Sequence, residues 1–188
     1  MSGIVRIFLV VCCALFRFRS VAPAAGVRSV FHVTPWDTGL AKLKSDKYFQ
    51  LAEAAQFDFV IRTGLIGTML RNGYHFINTS QLVTFSTPVK LFARVAITTR
   101  IVYWDTKCAF FEHVFAADGS PCACVLVRMK FKKGGRTIDP TDLIGPCSIV
   151  QPESLQYWDR SIDALRQAGL RERERQTTSS GGTSAGGE

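Results

Sequence analysis

The sequence predicts an α+β domain in which one long helix is buried on nearly all sides against an antiparallel sheet. Three observations carry this. From Tyr48 to Ile61 apolar side chains occupy almost every helical face, where a surface helix would carry a single apolar stripe. The runs His75 to Ser86, Ala93 to Trp104, Lys107 to Ala116 and Cys122 to Lys132 are rich in Val, Ile, Phe and Thr, the residues that fit a pleated, half-buried surface. Their separators, Thr87-Pro88, Asp105-Thr106 and Asp118-Gly119, are turn formers, and Asp-Gly is a strong hairpin signal because both residues tolerate positive φ.

The other elements follow in order. A short β-like run, Arg28 to His32, leads into Pro35-Trp36-Asp37-Thr38-Gly39, which reads as a loop. The helix is expected to start at Ser45 or Asp46, either of which can cap free backbone N–H groups. Because nearly all of it is buried, Glu53, Gln56 and Asp58 are its residues to explain. After Gly64 it continues or restarts, and Asn72-Gly73 ends it. Gly134-Gly135 closes the sheet. A second helix is expected from Ser154 to Arg175, with Leu155, Trp158, Ile162 and Leu165 at helical spacing. The Ser, Thr and Gly tail, residues 176–188, has nothing to bury and is expected to be disordered.

Composition sets bounds. The 188 residues suffice for one domain of ordinary size with extensions, and 47% apolar against 20% charged residues excludes a mainly disordered chain. No apolar run approaches the roughly 18–20 residues of a membrane-crossing helix. The net charge of +8 favours acidic partners such as nucleic acid, anionic membrane or a phosphorylated ligand without choosing among them. Cys12, Cys13, Cys108, Cys122, Cys124 and Cys147 include no C-x-x-C pair and no neighbouring His at metal-ligand spacing. They read as apolar filler in a reducing compartment, with a zinc site or a disulfide as the alternative, and Cys122 and Cys124 fall on one face of a strand by alternation.

Residues 1–26 read as a targeting segment. Arg6, Arg17 and Arg19 without any acid, together with Ser and Ala, fit a mitochondrial presequence. The competing reading, a secretory or endoplasmic reticulum signal, takes Ile7 to Phe16 as its apolar core and Ala22-Pro23-Ala24-Ala25 as its cleavage region; Arg17 and Arg19 interrupt that pattern. The expected organisation is therefore a presequence at 1–26, a domain at 27–147, a helical extension at 148–175 and the tail.

The stretch Trp36-Asp37-Thr38 through Lys47-Tyr48, then Leu51-Ala52-Glu53-Ala54-Ala55 and Arg62-Thr63-Gly64-Leu65, resembles the opening of hotdog-fold acyl-CoA thioesterases of the 4-hydroxybenzoyl-CoA type. Val102-Tyr103-Trp104-Asp105-Thr106 is similar to the strand turn of the THEM-type thioesterase-like branch, which is the nearest. The likeness spans about Val30 to Leu143. It departs where the family has Gly-His-x-Asn-Asn and this chain has Lys42-Leu43-Lys44-Ser45-Asp46, and where Gly39 follows Thr38 in place of a second Asp.

The resemblance implies a hotdog fold, in which a curved antiparallel sheet wraps the helix, and an acyl thioester ligand carried on coenzyme A, with no resident cofactor or metal. It further implies a homodimer with sites at its interface. Asp37 is the candidate loop carboxylate, and a turn-forming Asp beside Thr38-Gly39 is the plainer account of it. Glu53 sits at the family's acidic helix position, where apolar surroundings suit a general base; pairing with a strand Arg or across a dimer seam is the alternative. Lys42, Lys44 and Lys47 crowd the helix start, where the dipole disfavours cations. They fit either the nucleotide end of coenzyme A or plain solvation. Arg128, Lys130, Lys132, Lys133 and Arg136 form a second basic group, facing solvent, coenzyme A phosphate or RNA backbone. A rival to the enzyme is a catalytically inactive hotdog domain serving as a structural subunit of a mitochondrial assembly such as the ribosome. The lost His and Asn signature and the basic charge suit it.

Overall fold

The computed structural model describes residues 26–39 and 41–180, together with Val10 and Cys12. The targeting segment expected at residues 1–26 and the last residues of the tail, 181–188, thus lie largely outside the described residues. In chain order the elements are β1 (Val27–His32), a 3-10 turn (Pro35–Asp37), α1 (Ser45–Arg62), α2 (Leu65–Asn72), β2 (His75–Phe85), β3 (Arg94–Trp104), β4 (Ala109–Ala117), β5 (Ser120–Lys133), β6 (Arg136–Ile138), α3 (Thr141–Ile144) and α4 (Glu153–Ser180).

The strands form one antiparallel sheet in the order β1-β3-β4-β5-β2, with β6 paired to the end of β5. Alternation along β5 sends Val125, Val127, Met129 and Phe131 to the face that meets α1, and all are buried there. The helix packs across β1, β3 and β5. Ala52, Ala54 and Ala55 are fully buried, and their small side chains let helix and sheet approach closely while Leu51, Phe59 and Val60 fill the space between. This is the hotdog arrangement expected from the sequence.

Of the polar residues on α1, Asp58 is the most readily explained. Its Oδ2 accepts a hydrogen bond from Ser29 Oγ of β1 at 2.6 Å and lies 3.7 Å from Arg62 Nη1. Arg62 also donates to the Arg28 carbonyl at 3.2 Å. A buried carboxylate that keeps its hydrogen bonds is tolerated, and here it ties the helix to β1.

Several local expectations are corrected. Lys44, not Ser45 or Asp46, is the N-cap of α1, and no side-chain cap bond forms; Asp46 sits inside the first turn, where the helix dipole favours its charge. Cys122 and Cys124 do not share a face. The β4–β5 register shifts between Phe115 and Ala116, where Ala123 and Pro121 are their partners and Cys122 is the extra residue. Cys122 therefore joins the core beside Tyr48, whereas Cys124 sits by Glu112 and Arg100. Burial pushes both thiols up from their ordinary value. Gly134 turns the chain back at φ 56° to add β6, so the sheet does not end there.

The chain divides into two compact units, Met1–Ile149 and Val150–Glu188. The second contains α4, which runs to Ser180, past the Arg175 end expected from composition, because each further residue of an established helix adds a backbone hydrogen bond.

Candidate active site

Asp37 and Glu53 are set by different local structures. Pro35 presets the backbone of the 3-10 turn, and Asp37 closes it: its Oδ2 accepts from Thr34 N at 3.0 Å and from Thr34 Oγ1 at 2.6 Å. The side chain is 1% exposed. Its backbone carbonyl accepts the N–H of Lys44 at 3.0 Å, so the loop is seated on the start of α1. Trp36, beside it, faces solvent.

Glu53 lies further along α1, about 12 Å from Ser45 at the helical rise of 1.5 Å per residue. It lines an open cleft of about 600 Å³ together with Phe76, Ile77, Asn78, Thr79, Ser80 and Gln81 of β2. Asp37 does not line this cleft. Among the described residues Glu53 has no hydrogen-bond or ion-pair partner, so the strand arginine expected as one alternative does not meet it.

Behind the cleft, α1 and β2 are joined by residues to which sequence reasoning gave no role. Gln56, fully buried one helical turn beyond Glu53, donates Nε2 to Asn78 Oδ1 at 3.3 Å, and Asn78 Nδ2 donates back to Gln56 Oε1 at 3.4 Å. The β2–β5 register shifts between Asn78 and Ser80. The bulged Thr79 then donates its hydroxyl to the Arg128 carbonyl at 3.0 Å. A bulge interrupts strict alternation, and here the consecutive residues Asn78, Thr79, Ser80 and Gln81 all line the cleft. The signals were Gln56 in the buried stretch of the helix and the polar run Asn78 to Gln81 inside a strand. β2 ends the strand order, so its outer edge offers a row of backbone groups for pairing.

The three lysines separate. Lys42 is paired with Lys90 in an isolated antiparallel bridge; Lys44 is the N-cap and exposed. Lys47 is drawn along its own helix, donating to Gln50 Oε1 at 3.0 Å and lying 3.7 Å from Asp46. None of them lines the Glu53 cleft. In the second basic group Arg128 is buried while Lys133 and Arg136 are exposed.

His113 is a further titratable group inside the domain. It is wholly buried on β4, with Nδ1 at 2.9 Å from Thr99 Oγ1 and its ring stacked on Phe111. Desolvation lowers its pKa from the ordinary histidine value to about 3, so it is neutral at physiological pH.

Residues 33–156 match the model of the thioesterase-like superfamily, a span that includes the loop, α1, the Glu53 cleft and most of the sheet. This chain belongs to the thioesterase-like superfamily. Solved structures agree on the fold. A probable thioesterase from Bartonella henselae superposes with a TM-score of 0.56 at 20% identity, covering 61% of this chain and 98% of that one. A mutant 4-hydroxybenzoyl CoA thioesterase complexed with 4-hydroxybenzoyl CoA gives 0.59 at 18% identity, covering 66% and 100%. A hypothetical protein from Staphylococcus aureus in complex with CoA gives 0.57 at 14% identity, covering 73% and 96%. At such identities the neighbours establish the hotdog fold alone. No helix among the described residues of this thioesterase-like chain is long and apolar enough to cross a membrane.

Proposed function

We propose that this thioesterase-like protein binds an acyl thioester of coenzyme A in the cleft between α1 and β2, and hydrolyses it with Glu53 as general base. The observation that carries the reading is the Glu53 carboxylate, without a partner among the described residues, in an open cleft whose other polar groups are neutral. The carboxylate accepts a proton from a water molecule as that water attacks the thioester carbonyl carbon. The tetrahedral intermediate then expels the coenzyme A thiolate, which takes up a proton, and the acid is released. Ser80 and Gln81 line the cleft and offer uncharged donors to the developing oxyanion. Asp37 holds the neighbouring loop on the helix start. CoA-bound relatives of the same fold support the ligand class, and the open edge of β2 supports completion of the site by pairing with a second copy.

The test is hydrolysis of short, long and aromatic acyl-CoAs by the purified protein and by Glu53→Gln. Clear turnover that falls at least about 100-fold in the variant, roughly 2.7 kcal/mol of transition-state stabilisation, supports the assignment. Equal rates in the two folded proteins would remove Glu53 from the chemistry. If both are inactive yet bind CoA esters, the domain is a binding module.

A further inference from the structure

We propose that the loop cluster at the Phe92 end of the sheet docks the domain onto an anionic lipid surface. Trp36 and Phe92 enter the headgroup layer, and Lys42, Lys44 and Lys90 meet lipid phosphate. The proposal is independent of the thioesterase reading.

Three segments meet at this end. Phe92 N donates to the Val33 carbonyl at 3.1 Å, and Val33 N donates to the Ala93 carbonyl at 3.1 Å. Leu43 N to the Val89 carbonyl at 2.9 Å and Leu91 N to the Ala41 carbonyl at 3.1 Å lay the chain before α1 against the chain before β3. The Thr38–Leu43 bridge and the bond from Lys44 to Asp37 join both to the turn that carries Trp36. The two aromatic residues thus belong to one hydrogen-bonded cluster, and each is 72% exposed.

Neither residue is explained by packing. Phe92 also holds φ at 64°, in the left-handed region that side chains other than Gly, Asn and Asp seldom enter. Strain of this kind in an exposed aromatic points to a role outside the folded chain. Lys42 and Lys90 are direct antiparallel partners, and like charges placed opposite one another repel unless an anion lies between them. Arg94 pairs with His32 at the same end. Of the nearby acids Asp37 is buried on Thr34 and Asp46 lies by Lys47, while Asp118, exposed in the β4–β5 turn, lines a small cleft with Lys90 and leaves Lys42, Lys44 and Arg94 as the excess. The exposed balance of the cluster remains positive.

A lipid surface fits these features better than the alternatives. The aromatics sit in loops rather than along a groove that could thread a strand of bases. A two-fold contact through this end would bring two copies of the same net-positive cluster together. Aromatic rings at the headgroup level with flanking lysines, whose stems lie along apolar surface while their ammonium groups stay in water, are the ordinary means of interfacial anchoring.

The experiment is flotation of the full chain with vesicles of phosphatidylcholine, with and without phosphatidylserine. It is repeated for Trp36→Ser/Phe92→Gly and for Lys42→Glu/Lys90→Glu, with melting curves to verify folding. Glycine is at home at φ 64°, so the first variant keeps its backbone. The expected result is binding to the mixed vesicles, weaker binding to the neutral ones, and a loss of at least about tenfold in each double variant. Free glycerol phosphate should release no more protein than an inert salt of equal ionic strength; selective release would point to a soluble phosphate site and overturn the proposal. Wild-type protein that ignores anionic vesicles overturns it too, as do variants that bind like wild type. So does a loss that falls on single-stranded RNA binding or self-association in place of vesicles.

Discussion

Gln56 on the buried helix and Asn78 on the edge strand exchange reciprocal side-chain hydrogen bonds, at 3.3 and 3.4 Å. Each amide satisfies the donor and the acceptor of the other, so two polar groups cross the α1–β2 seam without an orphan. The pair sits where the β2 ladder slips at Thr79, beside the run of β2 residues that lines the cleft with Glu53.

The first prediction concerns that seam. Gln56→Met keeps the volume and contacts Met129, but it removes both amide bonds and leaves Asn78 to seek water at the cleft. Loss of a hydrogen-bonded pair with one partner still half-buried costs about 1–3 kcal/mol. Urea denaturation should show that loss as a lower midpoint with an unchanged slope. Acyl-CoA turnover should fall by more than binding, because Asn78 and the β2 residues that follow it line the cleft with Glu53.

A second prediction follows from His113. Its folded pKa, about 3, lies below the unfolded value near 6.5. Between these values the unfolded chain binds a proton that the native chain does not, so stability is full above about pH 6.5 and declines as pH falls toward 3. From pH 7 to pH 5 this one group should remove about 2 kcal/mol. His113→Phe, a fit beside Phe111, should flatten that part of the stability–pH curve, as denaturant titrations at the two pH values would reveal. An unchanged slope would show that other groups dominate the acid limb.

How much of this could be read from residues alone differs by element. The helix from Tyr48 to Ile61 was legible because burial on all sides writes itself as apolar residues on every face. Asp118-Gly119 named its own turn, since positive φ at both positions demands such residues. The hotdog family was legible from the order of motifs from Trp36 to Asp105. What sequence could not supply were features created by pairing. The slip at Thr79 and the bulge at Cys122 depend on which residue of the partner strand lies opposite, and strict alternation therefore misplaced Cys122. The Lys42–Lys90 bridge joins residues far apart in the chain, and no local pattern announces it. For the candidate site, sequence reasoning named Glu53 but not the cleft around it. It flagged Gln56 only as one of three polar residues to explain on a largely buried helix.

Phe92 supplies the third prediction. A non-glycine side chain in the left-handed region costs about 1–2 kcal/mol, part of which glycine returns through its freedom in the unfolded state. Phe92 is largely solvent-exposed, so little packing is lost on its removal. Phe92→Gly should therefore leave stability unchanged or raise it by up to about 1 kcal/mol, about 2–4 °C in melting temperature for a chain of this size. A clear fall in melting temperature would mean that the ring packs against something that its exposure does not reveal.

The last prediction separates the two carboxylates. Asp37 is enclosed and accepts two hydrogen bonds from Thr34, so Asp37→Ala should open the turn and cost about 1–2 kcal/mol, the size of losing a capping interaction. Glu53 faces an open cleft and holds no partner among the described residues, so Glu53→Gln should shift stability by no more than about 0.5 kcal/mol. Activity against an acyl-CoA should behave in the opposite sense. Glu53→Gln should lose turnover while keeping its melting temperature. Asp37→Ala should lose turnover only in proportion to the disorder of the loop, and Asp37→Asn, which still offers an acceptor to Thr34, should recover much of both. Melting curves and steady-state rates on the three variants decide the matter, because a catalytic Asp37 would lose turnover in the Asn variant without any loss of stability.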